Sequence, residues 1–142
     1  METSEIITLI IAGASLITAM YSLSNSISHK KLIKGQVEIQ ISNRISSARN
    51  RRDDLAIKYK DELSNNIVSA ILDSADEDFL TAYDEACQKY IDKKVDKERF
   101  KKSYRNQIKA IVENKNYNEY YNGPQSQYKA TTTVYSEWEP KA

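Results

Sequence analysis

From residue 6 to residue 23 the chain reads IITLIIAGASLITAMYSL, 18 positions without a charge. As an α-helix this run is about 27 Å long, near the lower limit for crossing a bilayer. Glu2 and Glu5 precede it, and His29, Lys30, Lys31 and Lys34 follow. A secretory signal carries its positive charge ahead of the apolar run, so this order predicts a retained helix instead. By the positive-inside rule the segment behind the basic step faces the cytoplasm, with the acidic N-terminus outside. The run therefore predicts a single-pass membrane protein.

Beyond it, the rest of a 142-residue chain has room for one modest domain. The net charge of +1 hides strong segregation. Residues 29–60 hold nine bases against three acids, residues 61–88 eight acids and no base, and residues 89–115 ten bases against four acids. Such blocks attract one another or a partner of opposite charge.

With three Gly and two Pro, the body is poor in turn formers. Apolar residues recur every three or four positions from Val37 to Ile71, predicting helix from Leu32 to about Leu72, with Gly35 as a loose join to the first helix. Ser74 and Glu77 fit a capping box before the run Phe79, Leu80, Tyr83, Cys87, Tyr90 and Ile91. A further helix starts at "VDKERF": Asp96 caps it, and Val95 and Phe100 occupy the positions of a hydrophobic staple. The single cysteine, Cys87, sits in a helical pattern and reads as a small buried apolar residue.

After Asn114 the pattern dissolves into a segment rich in Asn, Gln, Tyr and Thr, and "ATTTVYSEW" has the composition of a short strand. The predicted class is thus all-α: an N-terminal transmembrane segment (1–28) continuing into a small cytosolic helical domain (29–115), then an irregular or short-strand tail (116–142).

On a wheel of roughly 100° per residue, Thr8, Ala12, Ser15, Ala19 and Ser22 fall on one stripe of the first helix. Small residues let identical helices approach closely, whereas hydroxyls line water when several copies surround an axis. Both readings imply a homo-oligomer, and the residues alone leave the choice open. The densest basic clusters supply Arg49, Arg51 and Arg52 and, further on, Lys101, Lys102 and Arg105. Arginines hold phosphates by bidentate contacts, and five tail tyrosines with Trp138 are suited to stacking on unpaired bases. These features predict a nucleotide or single-stranded oligonucleotide as ligand. The same charges also suit solvation or contact with anionic lipid. No nucleophile elbow, metal-ligand spacing or Gly-rich phosphate loop is present, so no catalytic residue, metal or cofactor is expected.

The uncharged run, the step "HKKLIK" and the small Arg/Lys-rich helical domain together resemble the short membrane effectors of bacterial anti-phage systems, such as the channel effector of the Hailong system. That resemblance implies a pore-forming oligomer in the bacterial inner membrane, gated by a nucleotide signal from a partner protein. Thr8, Ser15 and Ser22 would then line the pore, and the two basic clusters would contact the signal. The alternative is a non-conducting, membrane-tethered adaptor that recruits a protein through its helices or tail.

Overall fold

A computed structural model describes residues 3–62, 65–122 and 126–139, with side chains from Ile11 onward. Among them the regular structure is entirely helical: α1 (Thr3–Lys58), α2 (Asn66–Ile91), α3 (Lys97–Val112), a 3-10 turn (Lys115–Tyr117), α4 (Asn118–Asn122) and α5 (Lys129–Trp138). The chain divides into two units, Met1–Gly35 and Gln36–Ala142.

The expected transmembrane helix requires correction, and with it the single-pass topology, the inner-membrane placement and the channel architecture. Among the described residues no helix is long and apolar enough to cross a membrane. Length is not what fails, since α1 has 56 residues. Between residues 11 and 28 the polar side chains of Ser15, Thr18, Ser22, Ser24, Asn25, Ser26 and Ser28 dilute the apolar ones. The side chains of residues 6–10, which open the uncharged run, lie outside the described residues, and so does that of Thr8.

Unit 2 is built around one core. Ile41, Ile45 and Ala48 present one stripe of α1, as their spacing of four and three dictates. α2 contributes Phe79, Leu80, Tyr83, Cys87 and Tyr90, and α3 contributes Phe100, Ile108 and Ile111. The charge blocks meet across this core. Arg44 of α1 donates to Asp78 of α2 at 2.7 Å and reaches Glu85, two turns further along α2, at 3.4 Å. Basic and acidic zones therefore clamp two helices of the same chain.

The first helix stops earlier than its apolar periodicity suggests. α1 ends at Lys58 and α2 begins at Asn66, where the Asn65 side chain accepts from the Ile67 N–H as N-cap. Ser74 and Glu77 consequently lie inside α2 and start nothing. The start of α3 is as expected: Asp96 accepts from the Arg99 N–H, and Val95 and Phe100 are both buried.

The tail is also corrected. Residues 129–138 form a helix that packs on α2 and α3. Ala130, Thr131, Val134 and Trp138 fall on one helical face and are buried, an arrangement that a strand's two-residue alternation does not produce. Burial of that face outweighs the β-propensity of the Thr-Thr-Thr-Val run. Its N-cap position, Tyr128, offers no side-chain bond. Asp84 of α2 substitutes, accepting from both the Thr131 N–H (2.8 Å) and its hydroxyl (3.0 Å) through one carboxylate oxygen.

Cys87 is fully buried, and burial pushes its thiol up to about 12, so it stays protonated and unreactive in the folded body.

Candidate interaction surface

Every described side chain from Ile11 to Ile33 is exposed, although many are large and apolar. Ile11, Leu16, Ile17, Met20, Leu23 and Ile27 retain 51% to 70% of their surface. Scattered apolar residues on a protein surface need no explanation, but a contiguous band on one helix marks a site of contact. Leu16, Met20, Leu23 and Ile27 share one sector with Ile17 beside it, whereas Ile11 falls next to the small residues. Ala12, Ser15, Ala19 and Ser22 form the narrow stripe read from the sequence, and all four are exposed. The Ser15 hydroxyl donates to the Ile11 carbonyl at 2.8 Å, as Thr18 does to Ala14 at 2.9 Å. These hydroxyls are thus satisfied by their own helix, and none requires an outside partner.

The six basic candidates are distributed over two helices, and most are engaged within unit 2. Arg49 of α1 donates to the Tyr83 hydroxyl (2.7 Å) and to Gln107 of α3 (3.0 Å), while Tyr83 itself donates to Gln107 (2.6 Å). This triangle joins α1, α2 and α3. Arg52 lies 4.2 Å above the Phe79 ring and donates to Asp53 and, at 3.4 Å, to Tyr117. Arg51 stands 3.8 Å from Asp78 and is mostly exposed. On α3, Arg105 pairs with Glu139 at 2.7 Å, a bond that holds the Glu139 carboxyl below the usual carboxylate range. Lys102 is exposed and Lys101 half-buried.

The tail aromatics expected to stack on a ligand pack inward. Tyr117, Tyr121, Tyr128 and Trp138 are buried, and Trp138 meets Tyr90 edge-on at 5.3 Å. The sequence reading missed this role because the rings interrupt a polar stretch without a regular period.

Among the described residues, unit 2 carries concavities on its surface. One, of about 180 Å³, has an apolar floor of Val37, Ile41, Ala82 and Ala86 with Arg44 and Lys89 at its rim. Another, about 320 Å³, includes Thr81, Asp84, Gln88 and Tyr128. None of the six basic candidates lines either. Among the described residues no cluster of His, Cys, Asp or Glu is suited to a metal ion. No protein-family model, curated protein or solved structure matches the chain.

Proposed function

We propose that this protein is a helical adaptor that acts by assembly, with unit 2 as a folded body and α1 residues 11–33 as the surface that engages a protein helix. One observation carries the reading: a band of large apolar side chains stands exposed on a helix whose flanking residues are uncharged from position 6 to position 29. Covering a Leu, Ile or Met side chain is worth about 1.5–3 kcal/mol, so a few such residues supply enough to hold a partner. A helix lying along a helix satisfies the backbone of both chains internally and leaves only side chains to interlock.

The arginines give less support to a signal-binding reading, since Arg49, Arg52 and Arg105 already have partners within the chain. A photo-crosslinking amino acid placed at Met20 in the full chain, in cells, tests the adaptor reading. The expected result is an adduct of discrete mass with protein. The same group at Lys102, on unit 2, should give none. Absence of a protein adduct at position 20, or identical smears at both positions, would refute the adaptor.

A further inference from the structure

Leu16, Met20, Leu23 and Ile27 are separated by four, three and four residues. At roughly 100° per residue they span only about 60° of the helix, in a row centred about 90° from the small-residue stripe. All four are exposed, at 51% to 68%. Alternating steps of three and four are the signature of a coiled-coil seam, whose side chains enter holes on a facing helix with the same spacing. The seam is self-complementary, and so is the charge around it. Glu2 and Glu5 stand on one side of the uncharged stretch, with Lys30, Lys31 and Lys34 on the other.

We infer that the partner of this seam is a second copy of the chain, packed antiparallel through α1. The inference rests on the adaptor reading above and names its partner. Orientation follows from charge. The 3–4 series continues beyond Ile27 to Lys30 and Lys34. A parallel pair sets each lysine against its own copy, which is repulsive at core positions. The antiparallel pair sets Leu16 opposite Ile27 and Met20 opposite Leu23, with a two-fold axis between residues 21 and 22. Lys30 then faces Gly13, which has no side chain to block the lysine stem on its way to solvent. The basic end of each chain also lies toward the acidic end of the other.

Full-length protein carrying Leu16→Cys is mixed with protein carrying Ile27→Cys under mild oxidation, while the native Cys87 stays buried and out of the exchange. The expected product is a mixed disulfide between the two variants. Leu16→Cys alone should give little, because the two copies of position 16 are eleven residues apart along the pair, about 16 Å and outside disulfide reach. Light scattering should return the mass of a dimer, and Leu16→Lys with Leu23→Lys should reduce it to the monomer. These positions contribute nothing to the core of unit 2, so the helical circular dichroism of the body should persist.

Self-crosslinking of Leu16→Cys would overturn the antiparallel arrangement. A monomer that co-sediments with phosphatidylglycerol vesicles and forms no disulfide would overturn the second copy as partner. A monomer whose position-20 adduct in cells is a different protein would leave the adaptor standing and remove self-pairing alone.

Discussion

At the scale of single residues, the strongest local conflict lies at the end of α2. Lys93 has φ +58°, and the Lys94 N–H donates to the Lys89 carbonyl while the Lys93 N–H donates to Tyr90. This is a Schellman ending, which favours glycine at the left-handed position. A lysine there crowds its Cβ against the backbone. Lys93→Gly should therefore stabilise the body by about 1 kcal/mol, read as a higher urea midpoint with unchanged slope. Asp84 has the opposite character. Removing its carboxylate leaves the N–H and hydroxyl of the fully buried Thr131 without an acceptor. Asp84→Ala should cost about 1–3 kcal/mol in the same titration, and Asp84→Asn, which retains one acceptor oxygen, should cost less.

At the scale of elements, the Arg44–Asp78 pair joins α1 to α2. The hydrogen bond from Arg44, followed by the charges of Arg44 and Arg51, holds the Asp78 carboxyl below its ordinary value. A carboxylate depressed on folding stabilises above its unfolded pKa, and that contribution vanishes as pH falls through the depressed value. Asp78→Asn should thus lose about 0.5–1 kcal/mol at neutral pH, with discounting for the pair's partial exposure. The deficit should close under acid, so the variant's thermal midpoint falls less steeply than wild type below about pH 4.

How much of each element was legible depended on where its signal resides. α3 could be read because its cap and staple, Asp96 with Val95 and Phe100, are local in sequence. The break between α1 and α2 could not, since Leu63 and Ile67 keep the apolar period running across it while a single side chain, Asn65, starts the new helix. α5 was harder still. Thr131, Val134 and Trp138 are helical only because α2 and α3 offer a surface and Asp84 a cap, and that information lies tens of residues away. The first helix differs from the expectation at its composition. Residues 6–10, which open the uncharged run, have side chains outside the described residues, and within the described ones the serines and Asn25 dilute the apolar positions. Of the site, the basic residues were identified by type, but their engagement with Tyr83, Gln107, Tyr117 and Glu139 depends on tertiary contacts.

For the molecule as a whole, Cys87 reports on the closure of unit 2. It contacts Thr131 of α5, and its thiol is protected by burial. A thiol reagent should therefore label it only through opening of the body, with a rate that rises in step with the unfolded fraction in urea. Labelling that stays fast and independent of urea would contradict the packing of α5. The position of that helix in the chain also sets a timetable. Ribosomes add roughly 5–20 residues per second, so the 111 positions from Ile27 to Trp138 take roughly 6–22 s to make. Throughout that interval the seam of α1 from Leu16 to Ile27 is already made, while the α5 cover of Tyr90, Phe100 and Cys87 is not. Two chains growing on one messenger, paired as proposed above, would thus meet through that seam before either body has closed, so that pairing would precede folding in time.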